Sequence, residues 1–210
     1  YQPEDLVMKP AFLAACQKAV EALARDTADG GPGVIVGFPR QGEAGRHNSV
    51  AVLDAGQIIA IRDKVDLPNY GEFDEKRVFV PGEMPGPVNF RGVRIGIPIC
   101  EDIWGELGVC ETLAESGAEL LLSPNGSPYY RGKVDVRHQV ALRQVIETGL
   151  PLVYLNTLGG QDDHVEGHPR RSPKCPRYPQ SRSMALSHSW GDRTSWYLRG
   201  AAGGGPRPAA

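Results

Sequence analysis

The chain has 210 residues, with 23 Lys and Arg against 25 Asp and Glu, and this formal net charge of −2 excludes a strongly basic nucleic-acid binder. The four cysteines have no disulfide-framework spacing and the five histidines form no cluster, so the sequence predicts free thiols and no metal site. No apolar run is long enough to cross a bilayer, and together with the free thiols this predicts a cytoplasmic protein without a membrane partner.

Helix and strand signals alternate along the first half of the chain. Pro10 opens a predicted amphipathic helix that ends near Ala28, before two glycines. Residues 34–38 are continuously apolar, which predicts a strand buried on both faces. Residues 48–53 and 57–62 alternate like two strands of a hairpin, joined by a three-residue loop at 54–56 in which Gly56 supplies a positive φ.

The second half continues with helix and strand units. A strand over 93–99 leads to Cys100, and helices over 106–117 and 132–148 are each followed by a strand, at 119–123 and 152–156. The predicted buried stripe of the longer helix is Val134, His138, Ala141, Leu142, Val145 and Ile146. This order predicts an α/β fold.

Cys100 lies where a buried strand gives way to the next element, in the run IPICEDIW at 97–104. A side chain at such a junction is held by the strand behind it and faces substrate in front. Cysteine is also among the most often buried residue types, so position alone leaves a core role open. Cys16 and Cys110 lie on apolar helix faces and are predicted to be core residues.

Two further blocks accompany Cys100: LPNYGEFDEKR at 67–77, shortly after Lys64, and SPNGSPY at 123–129. In this order and spacing, the three blocks resemble the carbon–nitrogen hydrolase (nitrilase) superfamily, and most closely the glutaminase domains of glutamine-dependent NAD synthetases. The resemblance covers about residues 1–163. It implies a four-layer αββα sandwich, incomplete at both ends of this chain, and hydrolysis of the side-chain amide of glutamine by a Glu–Lys–Cys triad.

The resemblance assigns roles residue by residue. Cys100 would be the nucleophile that forms a thioester, and Lys64 would stabilise the thiolate and the oxyanion. The backbone amide of Glu101 would be a second oxyanion donor, and Glu75 a supporting carboxylate. Tyr70 and Ser127 match glutamine-binding positions.

Each of these assignments has a plainer alternative. For Lys64 the alternative is a solvated charge at the end of a strand, and for Glu75 it is a solvated charge within a run of acidic and basic residues. Tyr70 reads as a half-buried aromatic residue and Ser127 as a turn residue between glycine and proline.

The resemblance also implies a general-base glutamate in an FPE run that would precede Tyr1. We therefore expect a fragment that lacks this base and hydrolyses glutamine at no measurable rate, since general acid–base catalysis contributes about 10²–10⁴ in rate. A catalytically inactive fragment is accordingly one alternative. A stand-alone nitrilase-type amidase acting on another amide is the other.

The last segment differs from the rest. Residues 164–210 hold eight Lys and Arg against two acids, a net charge of +6, whereas residues 1–163 carry −8. We predict two parts: a partial glutaminase domain at 1–163, and a basic tail at 164–210, rich in Pro, Arg, Ser and Gly, that is disordered or translated out of frame. A basic nucleic-acid or membrane arm is the alternative for this tail, but it lacks interleaved aromatic residues and zinc spacing.

The intact enzyme of this branch would pass ammonia to a C-terminal synthetase domain, which is expected to use ATP and Mg and which this chain lacks. The glutaminase part would need no cofactor. Glutamine, the synthetase domain and further copies of the chain in a homo-oligomer are the expected partners.

Overall fold

The structure, a computed structural model, describes residues 4–157, 159–161, 164–166 and 182–186. Its α-helices are α1 (Pro10–Asp26), α2 (Glu75–Val78), α3 (Val109–Glu115) and α4 (Lys133–Thr148). Its strands are β1 (Val34–Gln41), β2 (Arg46–Asp54), β3 (Gln57–Asp63), β4 (Val88–Phe90), β5 (Val93–Gly96), β6 (Leu120–Asn125), β7 (Leu152–Asn156), β8 (Gly159–Gln161), β9 (His164–Glu166) and β10 (Arg182–Leu186). Short 3₁₀ helices cover Glu4–Met8, Thr27–Asp29 and Cys100–Ile103.

Within the described residues, the strands form three sheets. The first is antiparallel with the order β1-β2-β3, and the second is mixed with the order β10-β7-β6-β5-β4. In the second sheet β5, β6 and β7 run parallel, because α3 and α4 provide the crossovers between them. A small pair, β8 with β9, makes the third sheet.

Three apolar clusters stack these elements in four layers. Helix α1 packs on one face of β2 through a cluster that contains Val20, Ala51 and Leu53. The opposite face of β2 meets the second sheet through Val50, Val52, Val88, Ile95, Ile97 and Ile99. Helices α3 and α4 cover the far side of the second sheet, where Leu113 and Val145 pack on Leu121 and Leu152. The expected αββα sandwich is therefore confirmed.

The strand that is buried on both faces is β2, not β1. The five residues from Ser49 to Leu53 are each at most 1% exposed, whereas β1 is mostly half-buried and Gly37 is exposed. The prediction for residues 34–38 was therefore wrong about burial, because β1 is the outermost strand of its sheet in the described part of the chain.

The hairpin between β2 and β3 is tighter than predicted. Asp54 pairs with Gln57, which leaves a two-residue turn instead of a three-residue loop. Both turn residues have positive φ, 49° at Ala55 and 82° at Gly56, as the type I′ turn that matches strand twist requires.

Both helices of the second half differ in detail from their predicted patterns. Helix α3 begins at Val109 after Gly108, which is in the left-handed region, and Leu107 before it is 54% exposed. The start predicted at residue 106 was thus wrong, because the loop after the Cys100 turn continues to this glycine.

On α4, the residues that are buried are Arg137, Ala141, Gln144 and Val145. Val134, His138 and Ile146 of the predicted stripe are exposed. Arg137 and Gln144 take the place of apolar residues on the buried face, because their side chains donate hydrogen bonds to backbone carbonyls of the loops beneath the helix.

Among the described residues, no helix is both long enough and apolar enough to cross a membrane. Two short parts of the predicted tail are strands, namely β9 and β10, and β10 pairs with β7. The rest of 164–210, including Cys175, lies outside the described residues, so the prediction of a disordered or out-of-frame tail stays a prediction.

Replacing Leu113 by Ala should lower the free energy of unfolding by about 2–5 kcal/mol, because its side chain is fully buried between α3 and the sheet. Leu107→Ala is the matched control and should change it by at most about 0.5 kcal/mol. Urea unfolding of both variants measures the difference. Equal losses would place Leu107 in the core and contradict the observed start of α3.

Candidate active site

The functional side chains collect at one edge of the two sheets. The parallel strands β5, β6 and β7 end at the same edge, where ligands of open α/β sheets bind. Cys100 follows the β5 segment, and Gly126 and Ser127 follow β6. Lys64 comes directly after β3 of the facing sheet, so both sheets contribute to this edge.

Lys64 is one of the most deeply buried side chains described, with 1% of its surface exposed. Its backbone N–H donates to the carbonyl of Asn48 at 2.8 Å, and its own carbonyl accepts from Gly82 at 2.8 Å. Nζ lies 2.8 Å from Oε1 of Glu75. A buried ammonium must be paired in this way, since its desolvation otherwise costs several kcal/mol.

The electrostatics keep Lys64 charged. Burial works to lower its pKa, but the Glu75 carboxylate and Cys100, which is a thiolate at the high pH where a lysine titrates, outweigh burial and raise the pKa above its ordinary value. Lys64 is therefore an ammonium ion at neutral pH and acts as a fixed cation.

Glu75 is the first residue of α2 and is 7% exposed. Besides Lys64, its carboxylate accepts a weaker hydrogen bond from Nδ2 of Asn48 on β2, at 3.4 Å. The plainer reading of Lys64 and Glu75 as solvated charges does not fit these burials. Asn48 could not be assigned to the site from the sequence, because an asparagine in a strand belongs to no motif that indicates a function.

Cys100 has an unusual backbone. Its φ is +51°, a value that non-glycine residues rarely adopt, and it is the first residue of the 3₁₀ helix Cys100–Ile103. Such a conformation costs about 1–3 kcal/mol and persists only where the surrounding structure fixes it, which happens most often at active sites. The residue as a whole is partly exposed, as the strand-end position predicts.

Opposing effects act on the pKa of the Cys100 thiol. Burial raises it most, the Lys64 ammonium and the backbone N–H of Gly126 lower it, and the carboxylates of Glu75 and Glu101 raise it further. Both effects expected to favour the thiolate are present, but burial outweighs them and the pKa stays above the ordinary value. The resting group is thus a thiol, and an attack on a carbonyl carbon requires a base to remove its proton.

Tyr70 and Glu101 form the mouth of the site. The hydroxyl of Tyr70, a residue that is 57% exposed, donates to Oε1 of Glu101 at 2.7 Å. Burial raises the pKa of Glu101, against lowering by Tyr70 and Lys64. The side chain of Glu101 therefore belongs to the candidate site in addition to the backbone amide that the resemblance implies.

Ser127 is held from behind by α4. It is 4% exposed, its N–H donates to Oδ1 of Asn156 at 2.8 Å, and its Oγ accepts from Nε of Arg137 at 3.2 Å. Arg137 also donates to the carbonyls of Ser127 and Pro128. These contacts fix the Ser127 hydroxyl at the candidate site, which fits a binding role as well as the turn role.

Asp102 is a residue of the site for which the sequence predicted no role. It is 4% exposed and accepts three backbone hydrogen bonds. Burial raises its pKa to about 6, against lowering by the N–H groups of Asp66 and Ile99. In the sequence, only its position two residues after Cys100 in the IPICEDIW run connects it with the site.

No group of three or more metal-binding side chains occurs among the described residues. Of the five histidines, His47 is buried on β2 and His138 is exposed on α4. His168 and His188 lie outside the described residues. Cys110 is buried as predicted, whereas Cys16 is partly exposed on α1.

A sequence model of the carbon-nitrogen hydrolase family matches residues 5–185. The chain belongs to this family. The match continues past residue 163 as far as β10, and the division of the chain at 163 stays a prediction.

Known proteins place the chain within the family. It is similar to the glutamine-dependent NAD(+) synthetase of Rhodobacter capsulatus, with 48% identity over 165 residues that make up 79% of this chain and 30% of that protein. It is also similar to the solved structure of the Acinetobacter baumannii glutamine-dependent NAD+ synthetase in complex with ADP, with a TM-score of 0.74 and 33% identity over 88% of this chain and 32% of that one. An amidase from Nesterenkonia sp. shares the fold, with a TM-score of 0.67 and 24% identity over 89% of this chain and 65% of that one. The chain spans about 30% of the length of the curated Rhodobacter relative.

The effect of Lys64 on Cys100 can be measured without a substrate. Lys64→Met should raise the pKa of the Cys100 thiol by about 1–3 units, because a nearby cation that stabilises the thiolate is lost. Iodoacetamide labelling of Cys100 between pH 7 and 10, followed by mass mapping, reports this pKa. At pH 8 the variant should therefore be labelled at least about tenfold more slowly.

The matched control is Lys76→Met, which removes an exposed lysine on α2 and should leave the labelling profile unchanged. An unchanged profile in the Lys64 variant would show that its ammonium does not act on Cys100. Label found chiefly on Cys16 or Cys110 would remove Cys100 as the nucleophile.

Proposed function

We propose that this chain is most of the glutaminase domain of a glutamine-dependent NAD synthetase, the domain in which glutamine is hydrolysed to glutamate and ammonia. The observation that carries the proposal is the buried Lys64–Glu75 pair beside a cysteine held at positive φ. This arrangement supplies a nucleophile and a fixed cation for the oxyanion that forms during attack on an amide. The names of the relatives, at 33–48% identity in the two cases described, supply the substrate.

The proposed reaction has two stages. Sγ of Cys100 attacks the amide carbon while its proton moves to a base, and Lys64 with the backbone amide of Glu101 stabilises the oxyanion. The C–N bond then breaks, and ammonia leaves with the proton returned by the base. Water hydrolyses the resulting thioester to glutamate and the free thiol.

The base in this proposal is the glutamate that the family resemblance implies upstream of Tyr1. Glu75 serves a different purpose, because its carboxylate is hydrogen bonded to Lys64 and holds that side chain in place. A cysteine whose pKa is above its ordinary value needs such a base, which supports this division of roles.

Substrate recognition is proposed for the polar groups around Cys100. Tyr70 and Glu101 offer a hydroxyl and a carboxylate suited to the charged amino end of glutamine, and Ser127 offers a hydroxyl. These groups also favour glutamine over a simple aliphatic amide, which has nothing to pair with them.

The partners follow from the same proposal. Ammonia would pass to a synthetase domain that uses ATP and Mg, whereas the hydrolytic step needs no cofactor. A homo-oligomer is supported by apolar side chains on the outer face of α4, where Ile146 is 64% and Val134 is 46% exposed. We place the protein in the cytoplasm.

The proposed function predicts ammonia release from glutamine that depends on Cys100. An extended chain that includes the family's FPE strand ahead of residue 1 should hydrolyse glutamine at least about 10²-fold faster than residues 1–210 alone, because it carries the proposed base. Lys64→Met in the extended chain should lower hydrolysis by about 10²-fold, and Cys100→Ala should abolish it.

Butyramide is the comparison substrate that separates the two enzyme classes. Preference for butyramide over glutamine would identify an amidase instead. Absence of Cys100-dependent ammonia from both substrates in the extended chain would overturn the proposal. Robust glutamine hydrolysis by the unextended chain would show that the upstream glutamate is not required.

A further inference from the structure

Asp102 connects the two halves of the site through backbone hydrogen bonds. Its Oδ1 accepts from the N–H groups of Val65 at 3.1 Å and Asp66 at 2.7 Å, the two residues that follow Lys64. Its Oδ2 accepts from the N–H of Ile99 at 2.8 Å, the residue before Cys100. One carboxylate thus joins the end of β3 in one sheet to the segment after β5 in the other.

The same carboxylate closes the turn that carries the nucleophile. Asp102 lies two residues after Cys100 and reaches back to the residue before it, so the positive φ at Cys100 falls inside this small ring. The hydrogen bond from Ile99 opposes relaxation of the turn towards an ordinary backbone conformation. The Asp102 side chain therefore both restrains the strained backbone at Cys100 and fixes the segment that carries Lys64.

Three features of Asp102 indicate that it specifically links the Lys64 segment to the Cys100 turn, and does not merely fill a buried position. It is 4% exposed, and no cationic side chain is hydrogen bonded to it within the described ranges. All three of its partners are donors, so a neutral amide of the same shape would set its own N–H groups against at least one of them. The site therefore requires a carboxylate and not just a polar residue of this size.

We propose that Asp102 is a positioning residue that fixes the Lys64 ammonium against the Cys100 thiol, a role that rests on the proposed function for its catalytic consequence. It touches no reacting atom in this scheme. It acts through the backbone on both sides of the site, and its loss lets the cation and the nucleophile move independently. Misplacement of reacting groups by about 1 Å is enough to cost about 10² in rate.

The test is a double-mutant cycle read by iodoacetamide labelling of Cys100, which needs no enzymatic turnover. Lys64→Met should slow labelling at pH 8 by about tenfold in the parent chain, but by less than about twofold when Asp102→Asn is already present. Equal effects of Lys64→Met in both backgrounds would overturn the proposal. Because this arm does not involve glutamine, it stands even if the glutaminase function fails.

Asp102→Glu separates position from charge. It keeps the negative charge but moves the carboxylate by one methylene, so positioning predicts that it behaves like Asp102→Asn in the cycle. Labelling restored to the parent rate by glutamate would assign the effect to charge alone and overturn the proposal. Failure of both Asp102 variants to fold, judged by circular dichroism at 10 °C, would assign the residue to folding alone and overturn it too.

Leu113→Ala is the control for stability. This variant lowers stability at a buried position outside the candidate site and should keep the full tenfold effect of Lys64→Met. In the extended chain, Asp102→Asn should reduce kcat for glutamine by about 10²-fold with KM changed by less than about threefold, because binding groups stay in place. A rise in KM with unchanged kcat would contradict positioning.

Discussion

The buried ion pair between Lys64 and Glu75 is the interaction on which the rest of the site depends. An ammonium with 1% exposure is tolerated only because a carboxylate lies 2.8 Å away and both groups sit on short segments anchored by backbone hydrogen bonds. Removal of either partner leaves a buried uncompensated charge, which costs about 3–5 kcal/mol. The fold therefore has to bring β3 and α2 together accurately before the site can exist.

This constraint explains the unusual use of polar residues beneath the surface. Arg137 and Gln144 occupy positions on α4 that an amphipathic helix normally fills with leucine or isoleucine. Their hydrogen bonds to the carbonyls of Ser127 and Ile103 fix the two loops that border Cys100. The helix gives up apolar contact area and gains a rigid support for the site, and its apolar side chains Val134 and Ile146 are left facing outward.

The sequence predicted the order of elements and pointed to side chains that the fold brings together at the candidate site, because both depend on local signals. Periodicity located α1, the β2–β3 hairpin and β7, and three short motifs pointed to Lys64, Glu75 and Cys100. The start of α3 and the buried stripe of α4 could not be predicted, since they depend on which loops each element packs against. Asp102 escaped for the same reason: its three partners lie on segments that come together only in the folded chain.

The positive φ of Cys100 has an evolutionary consequence. At +51° a glycine would sit without strain, so the backbone conformation at this position favours a residue that carries no thiol. Relief of backbone strain therefore favours glycine at position 100, whereas the proposed chemistry requires cysteine there. A lineage released from selection for the proposed chemistry should accept glycine at position 100 readily, because the substitution relieves the backbone strain.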